Sequence, residues 1–235
     1  MPSADRLSII PWDQVLADLD AQGWATTGPL LAPDECAQLI AGYDDEERFR
    51  SRVIMAWHSY GRGEYRYFRY PLPALVETLR TELYARLVPV ANRWRAALGA
   101  GDSLPPSHAE FLARCHAAGQ TRPTPLLLRY GPGDYNCLHQ DLYGEWLFPI
   151  QAAFLLSDPA TDFTGGEFIL TEQRPRMQSR AQVVPLAAGE AVLFAVNQRP
   201  VHGSRGPYRV TMRHGVSTVR SGSRHTLGVI LHDAL

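Results

Sequence analysis

The second half of the chain alternates short apolar runs with turn residues, and this pattern constrains the fold more than any other feature. From Thr124 onward, apolar segments of four to eight residues are separated by Gly, Pro and Asp. The candidate strands are TPLLLRY, FPIQAAFLLS, GEFILT, AQVVPL, EAVLFAV, YRVTMRHGVSTV and RHTLGVILH. Seven or eight short strands at this spacing are typical of a sandwich or a barrel. We therefore predict a β core over residues 121–235.

The first half is predicted to be mainly helical. Helical periodicity covers residues 12–21, a segment from Pro33 onward, residues 71–98 and residues 108–118. The third of these is predicted to break or kink near Pro89, which lacks an amide hydrogen. GWATTGPLL is predicted as a short strand, and Arg48 to Tyr70 as an irregular stretch. Because no linker is evident, we predict one domain over residues 1–235, in which residues 1–120 form a helical annex packed on the β core.

The overall charge and the cysteines limit the classes of protein to consider. The formal net charge is −1, so whole-molecule charge does not predict binding to nucleic acid or to a membrane. The three cysteines, Cys36, Cys115 and Cys137, are widely spaced and include no CxxC pair, which fits a reducing cytoplasm. No stretch approaches the length of a membrane span, and the N-terminus lacks the pattern of a signal peptide. We expect a cytoplasmic protein.

His139 and Asp141 are the first candidate site residues. They follow the Gly/Pro-rich turn in LLLRYGPGDYNCLHQD, at the start of the β half. In an extended strand, residues i and i+2 point to the same face, so the two side chains can converge. An imidazole and a carboxylate are two thirds of the facial triad that holds non-haem Fe(II). A hydrogen-bonded pair in a loop would show the same tripeptide, so a third ligand is needed.

Two later histidines are candidates for that third ligand, His202 and His214. Ten residues after His214 stands Arg224, with Thr226 two residues further on, and these two would share one face of the last strand. A guanidinium beside a hydroxyl suits a buried carboxylate, because arginine can bind it through two parallel hydrogen bonds. No arginine stands ten residues after His202, which we interpret as a pocket-rim or structural histidine.

The second half resembles the Fe(II)- and 2-oxoglutarate-dependent oxygenases in the order and spacing of its motifs. The match runs from about residue 126 to 232 and consists of His139, Asp141, Gly165-Gly166-Glu167-Phe168, Gly189-Glu190, His214, Val216, Gly222, Arg224 and Thr226. The separation of His214 and Arg224 is similar to that in prolyl-hydroxylase relatives. HQDLYGEWLFPIQAAFLLS, GGEFILTEQRPRMQSR and RHTLGVILHDA are similar to a bacterial oxygenase family described as acting on alkylated nucleic acid.

The resemblance implies a fold, a metal site and a co-substrate. The implied fold is α+β, a double-stranded β-helix or cupin-like jelly-roll barrel with the helical annex packed on it. His139, Asp141 and His214 would bind Fe(II). 2-Oxoglutarate would be the co-substrate, with its far carboxylate at Arg224 and Thr226 and a further contact at Tyr130. Ascorbate is a candidate accessory reductant.

The segment from Arg48 to Tyr70 is the candidate substrate region. It contains six arginines against one acid, interleaved with tyrosines, and such a pattern can bind single-stranded nucleic acid or a flipped base. A second arginine-rich stretch runs from Arg199 to Arg224. The substrate residues predicted from the first segment are Arg62, Tyr65, Arg66, Tyr67 and Arg69. Alternatively, the preceding DDEE could neutralise these arginines, and alternating Arg and Tyr also suit an amphipathic strand.

Three functions are compatible with these patterns. The first is a 2-oxoglutarate oxygenase that acts on nucleic acid, on a small molecule or on a protein side chain. The second is a cupin-like metal enzyme that does not use 2-oxoglutarate, and the third is a metal- or ligand-binding barrel without catalysis. Three other histidines are assigned no catalytic role: His108 is expected on a solvated helix face, and His225 and His232 in structural positions.

Overall fold

The computed structural model describes residues 3–204 and 206–235 of the chain. The α-helices are α1 (Ser3–Ser8), α2 (Trp12–Gln22), α3 (Pro33–Ala41), α4 (Ala74–Leu98) and α5 (His108–Ala117). Short 3₁₀ turns cover Gly42–Asp44, Glu46–Arg48 and Met55–His58. The strands of the first half are β1 (Trp24–Pro29), β2 (Phe49–Ile54), β3 (Gly61–Arg62) and β4 (Glu64–Phe68). Those of the second half are β5 (Leu126–Tyr130), β6 (Tyr135–His139), β7 (Ile150–Leu155), β8 (Phe163–Gly165), β9 (Phe168–Gln173), β10 (Arg180–Val184), β11 (Glu190–Ala195), β12 (Gln198–Gly203), β13 (Gly206–Val216), β14 (Val219–Gly222) and β15 (Arg224–Val229).

The strands form two antiparallel sheets. The major sheet has the order β1-β11-β7-β15-β5-β4-β2, and the minor sheet has the order β10-β9-β13-β6-β3, with β12 paired to β13. A separate two-stranded ribbon joins β14 to β8. Neighbours in space that are distant in sequence, such as β13 with β6, are typical of a jelly roll. The predicted α+β jelly-roll class is confirmed.

Alternation along the central strands explains how the layers stack. In β7, Ala152 and Phe154 belong to the large apolar cluster that the helices complete, whereas Ala153 belongs to a separate cluster with Phe168 and Phe194. Successive side chains of a strand point to opposite faces, so one face of the major sheet packs on the helices and the other faces the minor sheet. Every residue of β7 is buried as a result.

The first half contributes more β structure than its sequence predicts. Arg48 to Tyr70 is not irregular, because β2 and β4 pair with each other and β4 pairs with β5, extending the major sheet. The long helix α4 also runs without a break through Pro89. Pro89 lies on the exposed face of α4, where the carbonyl that loses its donor can be hydrated. Within the described residues, no helix is long and apolar enough to cross a membrane.

Candidate metal centre

Two histidines face each other across neighbouring strands of the minor sheet. His139 ends β6, and His214 lies directly opposite it in β13. Their ring centroids are 4.1 Å apart. Directly opposed residues of an antiparallel pair project to the same face of the sheet. The register between β6 and β13 therefore brings together two imidazoles that are far apart in the sequence.

Asp141 completes a three-residue cluster just beyond the end of β6. Its Oδ1 atom lies 3.5 Å from Nε2 of His139, and its Oδ2 atom lies 3.4 Å from Nε2 of His214. One ligand atom from each of the three residues lies within 4.8 Å of the others. Nδ1 of His139 is 2.8 Å from the carbonyl oxygen of Cys137, so a proton on Nδ1 leaves the Nε2 lone pair free. This donor set fits Fe(II) with open coordination positions.

Two neutral side chains hold the Asp141 carboxylate. Tyr143 donates its hydroxyl hydrogen to Oδ1 over 2.6 Å, and Gln151 donates from Nε2 to Oδ2 over 2.8 Å. Burial alone would raise the pKa of Asp141, but hydrogen bonding and charge from His214, the charge of His139 and the Tyr143 hydroxyl hold that pKa well below its ordinary value. Asp141 is therefore ionised, which is the form that binds a cation.

His214 is buried and packed against aromatic rings. Its ring centroid lies 4.6 Å from that of Phe194 and 6.1 Å from that of Phe168. Burial and the charge of His139 lower the pKa of His214, and the Asp141 carboxylate only partly opposes this. A neutral imidazole is the form that donates a lone pair to a metal ion.

Arg224 is a buried cation without a carboxylate partner among the described residues. The residue is 1% exposed, and its Nη1 atom donates to the hydroxyl of Thr226 over 2.6 Å, while Nε has no partner. Burial lowers the pKa of Arg224 to about 10. The equally buried Arg80, by contrast, forms an ion pair with Asp233 over 2.7 Å. An unpaired buried cation is unfavourable, so Arg224 is suited to a carboxylate supplied by a ligand.

Tyr130 lies directly across the strands from Arg224. The two residues are paired between β5 and β15, and the guanidinium carbon lies 5.6 Å from the centroid of the Tyr130 ring. Tyr130 is fully buried and accepts a long hydrogen bond of 3.5 Å from Nδ2 of Asn136. The three residues predicted to contact the co-substrate, Arg224, Thr226 and Tyr130, are thus brought together.

One cavity of about 200 Å³ is shared by the His–Asp–His cluster and the residues predicted to contact the co-substrate. His139, Asp141 and His214 line one part of it, and Arg224 and Thr226 line another. Five tyrosines also line the cavity: Tyr60, Tyr65, Tyr67, Tyr130 and Tyr143. The cavity therefore offers a metal-binding cluster, a carboxylate-binding cation and an aromatic wall.

The predicted substrate residues divide between two faces of β4. Tyr65 and Tyr67 line the cavity, but Arg66 between them points to the opposite face, as alternation along a strand requires. Arg66 is buried against the rings of Tyr43 and Phe49, and its Nη2 atom lies 3.5 Å from Oδ1 of Asp44. The prediction that Arg66 contacts substrate is therefore corrected.

The other predicted arginines do not line the cavity either. Arg62 and Arg69 are exposed at the surface, and neither is among the lining residues. In the second arginine-rich stretch, Arg199 is buried in an ion pair with Glu172, and Arg205 lies outside the described residues. In the first stretch, Asp44 and Asp45 of the DDEE run pair with Arg66 and Arg48, as the alternative interpretation anticipated.

The structure shows whether the other histidines are buried and whether His202 lines the cavity. His202 is exposed on β12 and does not line the cavity, so it is neither a ligand nor a rim residue. His108 is not on a solvated face: it is 4% exposed, and its Nε2 atom lies 2.9 Å from the carbonyl oxygen of Leu231. His232 is fully buried, in line with its structural assignment.

Sequence reasoning missed the residues that support Asp141. Gln151 is the second residue of β7, and it is the one amide within the apolar run FPIQAAFLLS, which was the available signal. Tyr143 lies two residues after Asp141, but its hydrogen bond depends on the path of the loop. Gln120 anchors this loop from outside, through Nε2 to the carbonyl oxygen of Trp146 over 3.0 Å.

The architecture is shared with solved oxygenase structures. A prolyl-4-hydroxylase of Pseudomonas putida aligns with a TM-score of 0.52 and 16% identity, over 92% of this chain and 96% of that one. An oxidoreductase of the 2OG-Fe(II) oxygenase family from Burkholderia pseudomallei aligns with a TM-score of 0.51 and 16% identity, over 95% and 92% of the two chains. The α-ketoglutarate-dependent epimerase SnoN from nogalamycin biosynthesis aligns with a TM-score of 0.54 and 13% identity, over 92% and 80%. These likenesses place the chain in the fold class of the Fe(II)- and 2-oxoglutarate-dependent oxygenases.

The family within this class follows from sequence. Residues 63–234 match the model of a family described as an oxygenase catalysing oxidative methylation of damaged DNA, and the chain belongs to this family. Uncharacterized proteins of two Mycobacterium tuberculosis strains, CDC 1551/Oshkosh and ATCC 25618/H37Rv, are each 52% identical to it over 167 residues, which is 71% of this chain and 72% of theirs.

Proposed function

We propose that His139, Asp141 and His214 bind Fe(II), and that Arg224 and Thr226 bind the far carboxylate of 2-oxoglutarate. The observation that supports this most strongly is the presence of a His–Asp–His cluster and an unpaired buried guanidinium on one cavity. A metal ion would neutralise the ionised Asp141, and a dicarboxylate would neutralise Arg224. Arg224 then gains the carboxylate partner that it lacks among the described residues.

The chain's own residues prepare the cavity for oxidation. Iron and 2-oxoglutarate together supply oxygen activation coupled to decarboxylation, with release of succinate and CO₂. Tyr143 and Gln151 fix the orientation of Asp141, and the carbonyl oxygen of Cys137 fixes the ring of His139. The rings of Phe168 and Phe194 exclude water from one side of His214.

For the substrate, we propose an alkylated nucleobase in a nucleic acid. The tyrosine wall supports this, because Tyr60, Tyr65 and Tyr67 offer rings on which a planar base can stack beside the metal-binding cluster. The description of the family is compatible with such a substrate. Insertion of one oxygen atom into a C–H bond of an N-methyl group gives an N-hydroxymethyl group, which breaks down to the free base and formaldehyde. The reaction would therefore remove a methyl group.

The metal and co-substrate assignments can be tested together by anaerobic titration. Fe(II) and 2-oxoglutarate are added to the protein, and the visible charge-transfer band of the iron–2-oxoglutarate chelate is recorded. We expect the band in the wild type, no band in His214→Ala, and the normal band in the matched control His202→Ala, because His202 is exposed and does not line the cavity. A normal band in His214→Ala would refute the ligand assignment.

The same titration separates the oxygenase from a cupin-like enzyme. With Arg224→Ala, we expect the band to require at least tenfold more 2-oxoglutarate, because a charge-assisted bidentate contact is lost. Unchanged 2-oxoglutarate affinity would support a metal enzyme that does not use this co-substrate. Absence of succinate with or without substrate would support a binding barrel.

The substrate proposal is tested by product formation. Single-stranded oligonucleotides that carry N-methylated bases should yield equal amounts of succinate and formaldehyde, and the unmethylated strand should yield neither. If phosphates contribute to binding, a gel shift with the methylated strand should weaken as salt is raised. Stimulation by peptides or by small molecules, but not by methylated strands, would instead identify a hydroxylase of a protein side chain or of a small molecule.

Because the three cysteines are unpaired, we place the activity in a reducing cytoplasm.

A further inference from the structure

Two hydrogen-bonded tyrosines join the cavity wall to Asp141. The hydroxyl of Tyr67 donates to the hydroxyl of Tyr143 over 3.2 Å, and that hydroxyl donates to Oδ1 of Asp141 over 2.6 Å. The rings of Tyr67 and Tyr143 meet edge to face, with centroids 6.5 Å apart. Both tyrosines line the cavity. The wall that a substrate would touch is thus two hydrogen bonds away from the carboxylate of the cluster.

From this geometry we propose that Tyr143 is a positioning residue for the metal-binding carboxylate, and that Tyr67 acts on the metal through it. The inference rests on the proposed role of Asp141 as a metal ligand. A carboxylate binds a metal well only when the rotation of its two oxygens is fixed by neighbouring donors. Tyr143 fixes Oδ1 and Gln151 fixes Oδ2, so removal of the Tyr143 hydroxyl leaves Asp141 with one anchor instead of two.

The Tyr143 hydroxyl can be removed without moving the Tyr143 backbone. Nε2 of Gln120 donates to the carbonyl oxygen of Tyr143 over 3.3 Å, and Oε1 of Gln120 accepts from the backbone amide of Trp146 over 2.7 Å. The absence of a side chain at Gly144 makes room for this contact, since a Cβ there would lie 2.4 Å from Cδ of Gln120. The loop is therefore held by its backbone, and a Tyr143→Phe change tests the hydroxyl alone.

Tyr67 belongs to the substrate side of the cavity. It lies on β4, and its ring meets that of Tyr65 edge to face with centroids 5.3 Å apart. The guanidinium of Arg50 covers its other side at 4.4 Å. A group that contacts the Tyr67 ring would therefore lie two hydrogen bonds from Asp141, through the hydroxyl of Tyr143.

The experiment measures Mn(II) affinity of the full-length protein in the absence of turnover, by calorimetry and by the Mn(II) electron paramagnetic resonance spectrum. We expect Tyr143→Phe to weaken Mn(II) binding about tenfold, which is the usual effect of losing an outer hydrogen bond to a ligand. Tyr67→Phe should weaken it about threefold in the wild type and have no effect in the Tyr143→Phe background, because its influence passes through Tyr143. Tyr135→Phe is the matched control, since that tyrosine is exposed on β6 and does not line the cavity.

Each outcome decides between the alternatives. If Tyr143→Phe binds Mn(II) within twofold of the wild type while His214→Ala does not bind it, the metal site stands and the positioning role of Tyr143 is refuted. An equal effect of Tyr67→Phe in both backgrounds would refute the connection from Tyr67 through Tyr143. If His214→Ala binds Mn(II) like the wild type, the proposed metal site itself fails. Unchanged thermal unfolding of both phenylalanine variants without metal distinguishes these effects from misfolding.

Discussion

Replacement of Arg224 by methionine should stabilise the protein without 2-oxoglutarate and abolish its stabilisation by 2-oxoglutarate. Burial lowers the pKa of Arg224 from 12.5 to about 10. At roughly 1.4 kcal/mol per pKa unit, the folded chain carries a penalty of about 3 kcal/mol for this cation at neutral pH, where the group is charged in both the folded and the unfolded state. A methionine fills a similar volume and has no charge to desolvate.

The lost hydrogen bond to Thr226 reduces the gain. Nη1 of Arg224 donates to the hydroxyl of Thr226, and such a bond contributes about 1 kcal/mol. The net stabilisation is therefore about 2 kcal/mol, which for a chain of this size raises Tm by roughly 4–8 °C. In the wild type, 2-oxoglutarate at a hundred times its Kd should add about 2.7 kcal/mol, and in Arg224→Met this shift should disappear.

The assay is thermal unfolding under nitrogen with Mn(II), with and without 2-oxoglutarate. The matched control is Arg80→Met, since Arg80 is equally buried but paired with Asp233. Its loss leaves a buried carboxylate without that partner and should cost about 3–5 kcal/mol. The two buried arginines should therefore respond with opposite signs. A lower Tm for Arg224→Met without ligand, together with a retained 2-oxoglutarate shift, would refute the reasoning.

Three further changes should have measurable effects. Gly166→Ala, at φ +64°, would place a Cβ 2.8 Å from Cδ of Arg224. Calorimetry should therefore show weaker 2-oxoglutarate binding and a lower Tm. Unchanged 2-oxoglutarate affinity and Tm would contradict the tight contact. Burial and the charge of Arg80 lower the pKa of His108 to about 4. The free energy of unfolding, measured with urea, should therefore fall by at most about 3 kcal/mol as the pH drops from about 6.5 towards 4. His108→Gln should make this pH dependence weaker. Gln120→Leu removes the side-chain amide that holds the loop between β6 and β7, and should lower Tm and Mn(II) affinity together; loss of only one would show that loop and metal site are independent.

The sequence predicted the β core because its signal is local. Apolar runs bounded by turn residues mark β5, β7, β9, β11, β13 and β15, and each of these strands is found. The Arg48–Tyr70 segment was predicted to be irregular, with an amphipathic strand only as the alternative, because its signal is an alternation of arginine and tyrosine and not an apolar run. That alternation is nevertheless what places Tyr65 and Tyr67 on one face of β4 and Arg66 on the other.

The contacts of the site depend on register and on loop paths, which a single sequence does not carry. The pairing of His139 with His214 requires β6 to lie beside β13 in one register, and a shift of one residue would turn one imidazole away from the cavity. The spacing from His214 to Arg224 could be recognised as a motif. The hydrogen bonds of Tyr143 and Gln151 to Asp141 could not, because they form where the loop after β6 approaches the start of β7.

The distribution of charge decides which interactions can recognise a substrate. Counting residues suggests a basic groove, yet Asp44 and Glu64 bind Arg66, Arg52 and Arg129 within the chain. These ion pairs neutralise part of the basic charge, and salt screens the charge of the arginines that are exposed. The tyrosine wall is not screened, since stacking acts at contact and requires no free charge. Recognition at this site should therefore depend more on the shape and ring character of the substrate than on its phosphates, and the residues that matter are those that touch the Tyr67–Tyr143–Asp141 connection.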